Sequence, residues 1–132
     1  MPSGLKPSSI PKTEVFVCRS DALKEGGILI WRHGKVEVGL FRRNRKLYCY
    51  RNICPHQGGP VCEGVRRSAI EDLFTKDGLF AGQRYNDDDI HIVCPWHGYE
   101  FHLDTGRHVG DGTIRLQTFE AVERDGGIYV HL

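Results

Sequence analysis

Apolar and polar side chains alternate with a period of two along much of the chain. The alternation runs through EVFVC (14–18), GILIW (27–31), KVEVGLF (35–41) and KLYCYRN (46–52). It returns in IHIVC (90–94), YEFHL (99–103), LQTFEAVE (116–123) and IYVHL (128–132). Successive side chains of a strand point to opposite faces, so each stretch predicts a half-buried β-strand. The turn-like RRNR separates the third and fourth stretches, and Asp104-Thr105-Gly106 and Asp125-Gly126-Gly127 supply glycines able to take the positive φ that tight turns need. Many short strands joined by turns predict an all-β domain, an antiparallel barrel or sandwich. Helix is confined to Ser68–Phe74, where Ser68 and Glu71 have capping-box spacing and predict one or two turns. The first twelve residues hold three prolines and four Ser or Gly, read as a flexible N-terminal arm, and place the start of the fold at Thr13.

The 132 residues, 39% hydrophobic, suit one domain with a modest core. No apolar run approaches the roughly 20 residues of a membrane span, and MPSGLKPSSIPK lacks the apolar centre of a signal peptide; a soluble, cytoplasmic protein is expected, without a membrane partner. A net charge of +1 argues against a nucleic-acid binder, but it hides an asymmetry: residues 1–53 carry +7 and residues 54–132 carry −6. The densest basic stretch, Arg42, Arg43, Arg45, Lys46 and Arg51, reads as the solvated ends of a hairpin, with partner docking as the sharper alternative. Segment 63–90 holds 7 acids against 4 bases and includes Asp87-Asp88-Asp89; it reads as a solvated surface loop. Five cysteines is an odd number, and Cys18 and Cys49 lie among apolar or aromatic neighbours where a buried thiol is expected.

Metal-binding side chains concentrate in Cys54-Pro55-His56-Gln57-Gly58-Gly59-Pro60 and Cys94-Pro95-Trp96-His97-Gly98. Each segment offers one thiolate and one imidazole. A proline after each cysteine fixes φ and removes a backbone donor, while the glycines let the backbone approach a bulky inorganic group. Two sulfur and two imidazole ligands suit zinc as well as iron and sulfide. Structural zinc sites usually pair like with like, Cys-x2–4-Cys and His-x3–5-His, whereas each segment here mixes Cys with His. Mixed pairs suit a two-iron site in which one iron takes both cysteines and the other both histidines.

In RNICPHQGGPVCEG and VCPWHGYEFHLDTGR the chain resembles the Rieske ferredoxin family, and with the flanking strand pattern the resemblance extends from Thr13 to Leu132. It implies a Rieske fold of stacked antiparallel sheets over 13–132, with a small cluster-binding subdomain at the tip (about 53–103). Residues 63–90 would be an extended acidic insertion within it. It also implies a Rieske-type 2Fe-2S cluster on Cys54, His56, Cys94 and His97, with the imidazoles exposed. The respiratory-chain type joins its two loops by a disulfide; the equivalent positions here are Gly59 and Trp96, so that bridge is absent and Cys62 is left a shielded or free thiol. That type also carries a serine and a tyrosine where this chain has Tyr99 and Phe101. The chain is thus similar to the low-potential, oxygenase-associated type.

The expected role is that of an electron carrier and not an enzyme. A flavin- or nicotinamide-linked reductase would supply one electron, and a terminal oxygenase or related reductase would receive it. The carrier is expected to be monomeric. The alternative is a fixed small subunit of a nitrite-reductase-like complex. A short catalytic oxygenase is set aside because the chain ends at IYVHL, where the Rieske domain itself ends. His91, His102, His108 and His131 are expected on exposed strand faces or turns. Asp88-Asp89-Ile90-His91 resembles half of a mononuclear-iron site, but a facial triad requires three free ligands and the only histidine that follows at suitable spacing, His97, is needed by the cluster, so no such site is expected.

Overall fold

A computed structural model describes residues 13–132; the arm assigned to residues 1–12 lies outside the described residues. The strands are β1 (Glu14–Arg19), β2 (Ile28–His33), β3 (Val36–Arg43), β4 (Lys46–Arg51), β5 (Val65–Phe74), β6 (Phe80–Val93), β7 (Glu100–His102), β8 (Thr118–Arg124) and β9 (Gly127–His131). Every strand pairing is antiparallel. Six strands form one sheet in the order β1-β9-β8-β4-β3-β2, and β5-β6-β7 form a second. The all-β expectation holds. Helix among the described residues is limited to single 3-10 turns at Ser20–Ala22 and Val61–Glu63.

Local chemistry explains the turns. Between β3 and β4, Asn44 and Arg45 both take positive φ, 52° and 65°, as a two-residue hairpin turn of matching twist requires. An arginine is a poor choice there. The Glu25 carboxylate offsets the strain by accepting from the Asn44 and Arg45 backbone N–H groups at 2.6 and 3.1 Å.

Two apolar clusters hold the molecule. Val38, Leu40, Cys49, Ile128 and Val130 pack with Leu23 within the larger sheet. Phe41, Tyr50, Val61, Ile92, Phe101, Leu103 and Leu116 form the other, which also contains Cys54, Cys62 and Cys94. Full burial of such side chains contributes about 1.5–3 kcal/mol each. Tyr50 spans the sheets: its hydroxyl donates to the Leu103 carbonyl at 2.6 Å in a buried contact. The second cluster therefore bonds the smaller sheet to the larger one.

Three expectations are corrected. Ser68–Phe74 is not helical but lies in β5, where Ala69, Glu71 and Leu73 are the more covered positions and Ile70, Asp72 and Phe74 are exposed. The letters alternate cleanly for neither element, and pairing with β6 makes the segment a strand. Segment 63–90 is not a loop; most of it is the long β5–β6 hairpin. Arg42 is not part of a solvated patch, because its guanidinium donates to the Leu23 carbonyl at 2.7 Å and to both Glu123 carboxylate oxygens at 3.0 and 2.8 Å, leaving the side chain 12% exposed.

Candidate metal centre

The two Cys/His segments occupy different connections: 54–60 follows β4, and 94–98 joins β6 to β7. They close in the same way. The Cys54 N–H donates to the Gly59 carbonyl at 2.7 Å and the Gly58 N–H returns to the Cys54 carbonyl at 2.8 Å. In the other loop the Cys94 N–H donates to the Tyr99 carbonyl at 2.8 Å and the Gly98 N–H returns to the Cys94 carbonyl at 3.0 Å. Gly58 and Gly98 take φ of 79° and 73°, which a side chain would strain.

The loops then meet face to face. A Cβ on Gly59 would lie 2.8 Å from the Trp96 ring and 3.1 Å from Cys94 Sγ, and one on Gly64 would lie 1.6 Å from the Val93 carbonyl oxygen. Missing side chains thus permit the approach. Cys54 and Cys94 are each 2% exposed, whereas His56 and His97 are exposed. The two imidazoles sit edge to face with centroids 5.1 Å apart, and the Tyr99 ring stacks on His56 at 4.1 Å. Burial pushes the Cys54 thiol above its ordinary pKa, and the neighbouring Cys94 sulfur adds to that rise. All four residues singled out in the sequence are brought together: sulfurs inside, imidazoles outside. This donor set fits a two-iron cluster with mixed ligation.

Beneath the first loop lies a polar brace that the sequence did not reveal. Buried Asn52 donates through Nδ2 to Glu37 at 2.9 Å and Glu63 at 2.8 Å, while its Oδ1 accepts the Cys62 N–H at 2.8 Å. Asparagine after a strand reads as an ordinary turn residue, so no local signal marked it. Cys62 is a free, buried thiol; its Sγ contacts the Tyr50 carbonyl at 3.6 Å, and burial pushes its pKa up to about 12. Cys49 is buried as expected, whereas Cys18 is only partly covered. His91 is not exposed: it is 7% accessible and faces His102 across the β6–β7 register. The ligand count drawn from linear spacing therefore missed His102, which stands beside His91 and Asp89.

Residues 13–120 match the family described as Rieske [2Fe-2S] domain. The ferredoxin component of an alkene monooxygenase system from Xanthobacter autotrophicus is 25% identical over 116 residues, covering 88% of this chain and 79% of that protein. A 3-phenylpropionate/cinnamic acid dioxygenase ferredoxin subunit from Photorhabdus laumondii is 26% identical over 123 residues, covering 89% and 93%. The solved ferredoxin of carbazole 1,9a-dioxygenase from Nocardioides aromaticivorans shares the fold at a TM-score of 0.63 and 23% identity, over 90% of this chain and 97% of that one. The two closing Cys/His loops and the family match over residues 13–120 agree: the chain belongs to the Rieske [2Fe-2S] domain family.

Proposed function

We propose that Cys54 and Cys94 on the inside, with His56 and His97 on the outside, hold a Rieske-type 2Fe-2S cluster. The protein then carries one electron from a flavin- or nicotinamide-linked reductase to a terminal oxygenase or related oxidoreductase. The observation that carries this reading is the meeting of two separately positioned Cys/His loops, with sulfurs buried and imidazoles open to a partner. When bound, such a cluster supplies reversible one-electron chemistry. The protein's part is to hold and present it. The cysteines anchor it against the core, the glycines admit it between the loops, and the imidazole edges offer the shortest way out to a docked protein. Exposed Trp96, Ile53 and Val109 provide apolar surface in and near these loops, the kind of patch that marks an interaction face.

Residues 13–132 serve in this reading as one domain, with the cluster-binding part at about 53–103. Both sequence relatives above are ferredoxin components of oxygenase systems, which favours a diffusing, monomeric carrier over a fixed small subunit of a nitrite-reductase-like complex. Purified protein is expected to hold about two irons and two acid-labile sulfides per chain and to show a low-average-g EPR signal after dithionite reduction. It should elute at monomer mass. Cys94→Ser should lose the iron and Cys62→Ala should keep it. Stoichiometric zinc in place of iron, or the reverse pattern in the two variants, overturns the assignment.

A further inference from the structure

We propose that Asp89, His91 and His102 form a second metal site, for one divalent first-row transition cation, on the β6–β7 strands that carry the Cys94 loop. One ligand atom from each lies within 4.8 Å of the others. His91 and His102 are directly paired across the two strands, and their rings meet edge to face at 4.9 Å. Asp89 is delivered by an irregularity in β6. Ser68 pairs with Ile90 and Ala69 with Asn86, so Asp87, Asp88 and Asp89 fall outside the strand register with β5, where the Ser68 hydroxyl donates to the Asp87 carboxylate at 2.7 Å. Such bulges re-aim side chains. Here one Asp89 oxygen faces His102 Nδ1 at 2.8 Å and the other faces His91 Nε2 at 3.3 Å.

The surroundings are those of a ligated imidazole. The other nitrogen of His91, Nδ1, faces Glu100 Oε1 at 3.2 Å, and Arg67 grips that carboxylate with two hydrogen bonds of 3.2 and 2.8 Å. A carboxylate holding the far nitrogen fixes the tautomer and aims the near one, the usual support for a metal-bound histidine. A neutral imidazole has a single N–H. If His91 gives it to Glu100, its Nε2 lone pair confronts Asp89 with no proton between them, and a cation there relieves the opposition. The His91 side chain is 9% exposed, while those of His102 and Asp89 are 31% and 32% exposed, so solvent can complete the coordination. Two imidazoles and one carboxylate suit zinc and its neighbours in the first row, and not calcium or magnesium.

The test uses the intact, cluster-loaded protein, stripped of loosely bound metal with a mild chelator and dialysed against equimolar Zn2+. Zinc and iron are counted per chain on the same sample. The expected result is one zinc with the iron unchanged. His102→Gln and Asp89→Asn should each lose the zinc and keep the iron, and Glu100→Gln should weaken zinc binding by about 10- to 100-fold as loss of a supporting partner does. Added Zn2+ should raise the Tm of the wild type and of neither ligand variant. No zinc on the wild type, zinc retained by both ligand variants, or zinc gained only as iron is lost overturns the proposal. Should the four loop residues hold zinc instead of a cluster, the wild type would carry two zincs and each ligand variant one, so the two assignments fail separately.

Discussion

Gly64 shows how much of the site depends on an atom that is missing. Its backbone angles, φ −78° and ψ 174°, are open to any residue, so conformational freedom is not the reason for glycine there. Space is: an added Cβ would sit 1.6 Å from the Val93 carbonyl oxygen, in the strand that leads directly into Cys94. Backbone cannot yield as a flexible side chain can. Gly64→Ala is expected to cost about 3 kcal/mol or more, at the upper end of overpacking effects, and to reduce iron content; full iron with an unchanged Tm would refute the account. Tyr99 and Phe101 set a second expectation. Hydroxyl groups aimed at a cluster sulfur stabilise the reduced form and raise the potential. Phe101 is fully buried and has no hydroxyl, and the Tyr99 ring is committed to stacking on His56. Film voltammetry should therefore place the midpoint nearer about −150 mV than about +300 mV, the limits of the class. Tyr99→Ser combined with Phe101→Tyr should raise it.

Among the elements, the β5–β6 hairpin departs most from what the sequence suggested. Strands such as β3 and β4 were legible because their β-branched and aromatic residues recur at a period of two between turn residues, although both faces prove to be covered at the centre, Val38, Leu40 and Cys49 on one side and Phe41 and Tyr50 on the other. In β5 and the outer part of β6 both faces are largely wet: Ile70, Phe74, Phe80 and Tyr85 are all at least half exposed while charges fill the positions between. With no buried face, hydrophobic period carries little information, and the pairing that defines these strands lies in the partner. The two Cys/His loops were legible for the opposite reason, since Cys and His beside Pro and Gly are informative without any partner. His102 joining His91 was hidden because only the β6–β7 register reveals it. The smaller sheet is three-stranded only at His91–Val93, where β7 pairs with β6. Farther out, β5 and β6 have only each other, and a two-stranded ribbon is marginal in water. Amide exchange in residues 69–86 should thus be faster by orders of magnitude than in β3 and β4, which sit inside the larger sheet. Equal protection in the two regions would mean that the hairpin is covered in solution, by a partner or a second copy.

At the scale of the whole molecule, ion pairs tie distant parts of the chain together across the larger sheet. Arg42 of β3 binds Glu123 of β8 while reaching the Leu23 carbonyl, and Arg124 of β8 pairs with Glu14 of β1, which also accepts from His131 at 2.9 Å. The Arg42 guanidinium holds the Glu123 carboxyl down to about 2, and Arg124 with His131 holds Glu14 to about 2. Both are depressed below the ordinary value of 4.5, so the unfolded chain binds more protons than the folded one as acid is added. Their contribution is accordingly complete above about pH 4.5 and is lost as the pH falls towards about 2. Of the two, the Glu123 pair is the better test, because Arg42 is the more covered cation and less screened by water. Glu123→Gln should lower the urea midpoint at pH 7, while near pH 2 the variant and the wild type should converge. Urea titrations at a series of pH values, with iron content followed on the same samples to separate acid loss of the metal from unfolding, read this directly. A constant offset between the two proteins from pH 7 to pH 2 would show that the Gln change acts through packing, and that the Arg42–Glu123 charge pair adds nothing to the hold between β3 and β8.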